Sequence, residues 1–238
     1  MNSDDVAVRP LVVDDLDWVV HLAAQRAEQR HNFAPRFWRR ASDARSAHAR
    51  HLHALIERGV AAAFRTDHVF AFAVPGPEFV LVDDAAAECD ESWATEGPAL
   101  FRRLVGESRV RFVCPVPEPD RAALAAELGL GRAETWWHRD LCPPSADSRD
   151  AGPVQVRGAR GRLVAAPPVY APGGPVSLVT EFHDRRALDE MEREAARRGA
   201  AVSVVALVTE DATREELLVA RGYRRTCDFY EGVLTQVT

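Results

Sequence analysis

The spacing of apolar residues changes character several times along this chain, and each change predicts an element. Val6 to Pro10 is a short apolar run of strand type. Asp14 and Asp15 then supply an N-cap and an acidic first turn, and Leu16, Val19, Val20, Ala23 and Ala27 recur at helical spacing. Pro35 interrupts that helix inside the aromatic, basic stretch Asn32 to Arg40. A second helix is predicted from about Asp43 to Glu57, ended by Gly59. The pattern then turns to strands. Val60 to Phe64 and Val69 to Val74 form a hairpin about Arg65 to His68, and Phe79 to Val82 follows the turn Pro75-Gly76-Pro77. A helix is expected from about Thr95 to Val105. After the next strand–helix–strand stretch, Cys142 to Pro153 is rich in Pro, Ser, Asp and Gly and reads as a linker. Short strands at Val154 to Val156 and Leu163 to Ala166, a loop at Pro167 to Gly174, a strand at Val176 to Phe182 and a helix at Asp184 to Arg198 complete the pass.

The strand–helix–strand stretch occurs twice. Val110 to Leu141 aligns without a gap on Ser203 to Leu234. Arg121 falls on Arg214, Leu124 on Leu217, Gly129 on Gly222, Arg132 on Arg225, and Trp136-Trp137 on Phe229-Tyr230. Identities are few, but order and spacing agree, which predicts a duplicated unit. Nothing in the second half corresponds to residues 1–58. The expected division is therefore a full unit over residues 1–142, a linker over 143–153 and a shortened unit over 154–238.

Bulk properties narrow the partners. All 30 basic residues are arginine, and the net charge of −6 disfavours nucleic acid or an anionic membrane surface. Cysteines 89, 114, 142 and 227 show neither C-x-x-C nor metal-ligand spacing, so reduced thiols in a cytoplasmic protein are expected. No apolar run approaches the ~20 residues that span a bilayer, and the start lacks a signal pattern. His48, His51 and His53 read as a solvated polar face, with no metal implied. An internal pseudo-dimer would allow a monomer; a homodimer is equally open.

The order strand, helix, helix, three strands, helix, strand, helix, strand resembles the GNAT family of acyl-CoA-dependent N-acetyltransferases. The opening Val8-Arg9-Pro10-Leu11-Val12-Val13-Asp14-Asp15, the late helices ending at Gly129-Leu130 and Gly222-Tyr223, and Phe229-Tyr230-Glu231-Gly232 carry the likeness. It implies an α/β fold with a mixed (α+β) sheet, acetyl-CoA as co-substrate, and a small-molecule or peptide amine as acceptor. The family's pyrophosphate loop, Q/R-x-x-G-x-G/A, falls on Ser92-Trp93-Ala94-Thr95-Glu96-Gly97, followed by Pro98-Ala99-Leu100. Gly97 and Ala99 match. Ser92 replaces the basic or amide residue and Thr95 the first glycine, Glu96 brings charge of the wrong sign, and Pro98 removes an N–H. The resemblance assigns cofactor binding to this loop and to the backbone of Ala85, Ala86 and Ala87. The second copy passes from Phe182 through His183-Asp184-Arg185 straight into its helix, without a loop.

Acyl transfer to an amine needs a base and an acid for the leaving thiolate. The family's acid, a Tyr four residues before the helix-ending Gly, is Ala125 in one copy and Leu218 in the other. Asp84 is the candidate base. Glu134 and His138, four apart on one strand, share a face and could line an acceptor site. Two functions follow: acyl transfer from acyl-CoA to an amine, or a catalytically silent GNAT-like domain that binds a ligand or protein.

Overall fold

A computed structural model describes residues 6–141, 151–208 and 211–234. In chain order its elements are β1 (Arg9–Pro10), α1 (Leu16–Phe33), α2 (Ala44–Arg58), β2 (Ala62–Arg65), β3 (Val69–Pro75), β4 (Val80–Val82), β5 (Ala85–Ala87) and α3 (Asp90–Val105). Then follow β6 (Arg109–Pro115), α4 (Pro119–Glu127), β7 (Gly131–Asp140), β8 (Gly152–Val156), β9 (Ala159–Val164), β10 (Val176–Phe182), α5 (Arg185–Arg197), β11 (Val202–Leu207), α6 (Ala212–Ala220) and β12 (Arg224–Val233). The two aligned stretches keep the same spacing of elements: α4 begins at Pro119 and β7 at Gly131, as α6 begins at Ala212 and β12 at Arg224.

Packing divides the chain into two units. The first takes the chain up to Gln29, Arg45–Ala133 and the chain from Asp228; the second takes Arg30–Ala44 and Glu134–Cys227. These cuts fall elsewhere than the linker, most of which (142–150) lies outside the described residues. The reasons are local. Residues 135–140 join the second unit because they pair antiparallel with Val202–Leu207 of β11. Residues 30–44 join it because Ala41 and Ala171 donate backbone N–H groups to Val169 and Arg39, while Arg36 reaches the carbonyl of Leu141 at 2.6 Å. Residues from 228 belong to the first unit because Glu231 pairs with Arg109 and Arg111, 2.9 and 2.6 Å away.

In the first unit the strand order β1-β2-β3-β4-β6 is antiparallel up to β4, and β4 runs parallel to β6. This gives the mixed sheet that the resemblance implies. The continuous apolar run of β3 is explained by helices on both faces. Phe70 and Phe72 pack with Leu16, Val19, Val20 and Leu52 of α1 and α2, whereas Val69, Ala71 and Ala73 pack with Trp93, Leu100 and Phe101 of α3. Asp15, expected at the helix start, accepts the N–H of Val12, the N-cap residue, and also anchors the entry by accepting from Arg9 and Arg65. These bonds outweigh its burial and hold its carboxyl down to about 2.

The second unit runs β7-β11-β10-β9-β8, with β11 parallel to β10 and the other pairs antiparallel. One face packs under α5 and α6 through Val179, Leu188, Met191, Val205 and Leu218. Having no first two helices of its own, this unit covers Val202 and Val204 on the opposite face with Phe37, from residues 30–44.

Gly161 on β9 faces the register shift between Val179 and Glu181 of β10, and a Cβ there would lie 2.2 Å from the Leu178 carbonyl oxygen. Backbone cannot yield as a side-chain tip can. Gly161→Ala should therefore lower stability by about 1–3 kcal/mol in urea unfolding of the full chain; an unchanged midpoint would contradict this packing.

Candidate functional site

The first unit's sheet opens into a wedge. β4 pairs with β6 from Val80↔Val110 to Val82↔Phe112, after which the chain steps away at Asp83-Asp84 and β5 pairs with β3 instead. Alternate carbonyls of an extended segment share an edge. Phe72 N–H bonds to the Asp84 carbonyl on the β3 side, so the carbonyls of Asp83, Ala85 and Ala87 face the other way. Two arginines meet them. From α4, Arg121 donates Nη1 to Ala85 at 2.9 Å and Nη2 to Asp83 at 2.8 Å. From α1, Arg26 donates Nε to Ala87 at 2.8 Å, and its Nη1 reaches Asp90 at 3.0 Å. Arg121 is only 1% exposed, its guanidinium lying 4.9 Å from the Phe112 ring centre and 5.8 Å from that of Trp93.

The segment after the wedge is helix earlier than the pattern predicted. α3 begins at Asp90 rather than near Thr95, so Ser92 to Gly97 lie within it. Their N–H groups are turned into the helix, as Ser92 N–H to the Cys89 carbonyl illustrates at the first turn. Asp90 and Glu91 in that turn suit the helix dipole and repel an anion. Pro98 is tolerated because the carbonyl it leaves without a helical partner belongs to Ala94, on the exposed side. Thr95 is exposed and bonds back to the Glu91 carbonyl at 3.1 Å; Ser92 is buried beside Cys89 Sγ. Ala99 is half-buried. Gly97 packs against α4, since a Cβ there would lie 2.6 Å from a Leu124 methyl.

Glu96 points to the hairpin. Its carboxylate lies 2.6 Å from His68 Nδ1 and accepts the His68 backbone N–H at 3.2 Å. Burial raises the Glu96 carboxyl, but hydrogen bonds from Thr66 and His68 outweigh it and the net displacement is downward. The Glu96 bond raises His68. Asp84, also in the first unit, faces His48 of α2, whose Nε2 is 3.0 Å away.

Glu134 and His138 belong to the second unit. Glu134 accepts the Trp136 indole N–H. His138 is buried, with the ring of Phe37 5.3 Å away, and its Nδ1 lies 3.1 Å from the Arg224 carbonyl. An open cavity of about 400 Å³ adjoins it, lined also by Pro35, Arg139, Asp140, Gly222 and Arg224. Glu192 answers the charge of Arg139 at 2.8 Å and takes further bonds from Arg221 and Tyr223.

No protein-family model matches the chain, and no curated protein matches it. Solved structures do. A proposed acetyltransferase of Pyrococcus horikoshii matches over 97% of this chain and 90% of its own, with a TM-score of 0.52 at 12% identity. One of Thermoplasma acidophilum matches over 96% and 100%, with a TM-score of 0.54 at 9% identity. A GCN5-related N-acetyltransferase of Sphaerobacter thermophilus matches over 98% and 96%, with a TM-score of 0.47 at 11% identity. The chain has the GNAT acetyltransferase fold. At these identities the likeness is one of fold.

In a GNAT frame the wedge is where the resemblance puts the acyl-CoA arm and α3 where it puts the pyrophosphate. The carbonyls of Asp83, Ala85 and Ala87 already accept from Arg121 and Arg26, and the N–H groups of residues 94–97 serve the helix. The second GNAT-like copy has Asp184 as N-cap of α5, accepting from Ala187 N–H at 2.8 Å. Sequence reasoning used Arg121 only to mark the repeat, passed over Arg26, and read His48 as part of a solvated face, whereas its side chain is largely buried against Asp84. A signal existed: Arg121 sits three and four residues before Leu124 and Ala125, on the apolar face of α4.

Two outcomes follow. Arg121→Met should cost about 2–5 kcal/mol, because it leaves two buried carbonyls without donors, and Arg121→Lys should recover only part of that, since an ammonium lacks the fork; equal stability of all three proteins in urea would refute the role. His68 stabilises below its unfolded value of about 6.5 and ceases to as pH rises through its raised folded value. Melting temperature should therefore fall above about pH 6.5, less so in His68→Gln; superimposable profiles would exclude the pair as a contributor.

Proposed function

We propose that this protein is a catalytically silent GNAT-fold module that binds a ligand without transferring an acyl group. One observation carries the reading: Arg121 lies buried along the strand edge that an acyl-CoA arm would need. Acyl-CoA would have to expel a guanidinium held by two hydrogen bonds and flanked by two aromatic rings, and it would then meet the acidic first turn of α3. The described cysteines, 89, 114 and 227, are free thiols, which supports a cytoplasmic setting. Among the described residues no helix is long and apolar enough to cross a membrane.

Acyl transfer to an amine is the second reading. It is favoured by the fold, shared with proteins named acetyltransferases, and by the splay of β5 away from β6. Asp84 beside His48 would then be the base, with the backbone of Ala85 to Ala87 and the segment Ser92 to Ala99 at the cofactor.

Melting the full chain with and without 1 mM acetyl-CoA, against free CoA and adenosine 3′,5′-bisphosphate, separates the two. Ligand at 100 times its dissociation constant adds about 2.7 kcal/mol, enough for several degrees in a chain of this size. The silent reading expects no shift with any of the three. A shift specific to acetyl-CoA and CoA would overturn it in favour of the transferase.

A further inference from the structure

We propose that the cavity of the second unit binds a free α-amino acid, its ammonium held at Asp140 and its carboxylate at Arg224. The inference rests on the reading of the protein as a binding module and names its ligand. Of the charged groups lining the cavity, Arg139 is already answered by Glu192. Asp140 and Arg224 are both exposed, and among the described residues neither side chain makes a hydrogen bond or ion pair. Both line the cavity together with His138, and their opposite charges act on its affinity for a proton in opposite senses.

That ring supplies the third contact. Burial holds His138 below the ordinary histidine range, so it is neutral at pH 7. With a carbonyl as its partner, Nδ1 must carry the proton and donate to Arg224, which leaves the Nε2 lone pair as an acceptor. Nε2 has no partner among the described residues and is not among the buried orphan atoms, so it opens to the cavity. Phe37 fixes the ring plane from the side of residues 30–44.

The chemistry selects the ligand. A simple anion meets the repulsion of Asp140, and a simple cation meets that of Arg224. A molecule bearing one charge of each sign satisfies both and can also donate from its ammonium to Nε2. A cavity of about 400 Å³ accommodates an amino acid, with the mouth left open for its side chain.

The test is calorimetric titration of the full chain with each free α-amino acid at about 5 mM, a range that reaches millimolar affinity. Each ligand that binds is repeated as its N-acetyl form, lacking the ammonium, and as its amide, lacking the carboxylate. At least one free amino acid should bind. Both blocked forms, and the variants Asp140→Asn and Arg224→Gln, should each weaken binding about tenfold or more, the loss expected for one charged partner. The melting temperatures of both variants should stay at the wild-type value, because both side chains are exposed. Absence of binding by every amino acid would overturn the proposal. So would blocked forms that bind as well as free ones, or binding undiminished in both variants. Acetyl-CoA titrated alongside reports on the silent reading separately, because its binding would overturn that reading whatever the amino acids do.

Discussion

Burial of the Arg121 guanidinium is the constraint around which the first unit is arranged. Removing a permanent charge from water is costly unless nearly every polar contact is replaced. Here two backbone carbonyls accept in a fork, Glu118 lies 3.5 Å away, and the faces of Phe112 and Trp93 supply cation–π attraction. Those carbonyls are exposed to Arg121 only because β5 leaves β6, so the divergence of the strands and the burial of the charge require each other. Wedges in sheets are costly because they leave backbone groups without partners. This one is closed by side chains of its own chain.

The two units show how one arrangement of elements can be supported by different side chains. Arg214, the counterpart of Arg121 in the aligned copy, is half-exposed; it lies near Asp211 and over the Phe182 ring. Polar burial in the second unit is instead concentrated at Glu192, which takes Arg139, Arg221 and Tyr223. Tyr223 also lies 2.8 Å from Ser203 Oγ, and burial drives its hydroxyl well above the ordinary tyrosine range, so it remains a donor. The two units thus place buried charge on different helices, Arg121 on α4 in the first and Glu192 on α5 in the second. The second unit also lacks a pair of helices for its open face, and residues 30–44 cover it through Phe37, Trp38 and the arginine contacts to Leu141 and Ala171. Those same residues put Pro35 and Phe37 beside His138.

Periodicity by itself determined the helices at Leu16, Ala44 and Arg185, the hairpin about Thr66, and the correspondence of the two strand–helix–strand stretches, because spacing of apolar residues is a local property that packing rarely reverses. The mixed sheet was expected from the family resemblance that their order carries, and the pairings bear it out. Tertiary structure decided the rest. α3 begins at Asp90 because Glu96 finds His68 and Gly97 finds Leu124, and neither contact is near in sequence. Ser92 to Gly97 have the length of a phosphate loop, but only the packed helix turns their N–H groups inward. Arg121 carries the same letter as Arg214, yet one is buried and the other half-exposed; local sequence could not distinguish them, because the carbonyls that hold Arg121 belong to residues 36 and 38 positions away.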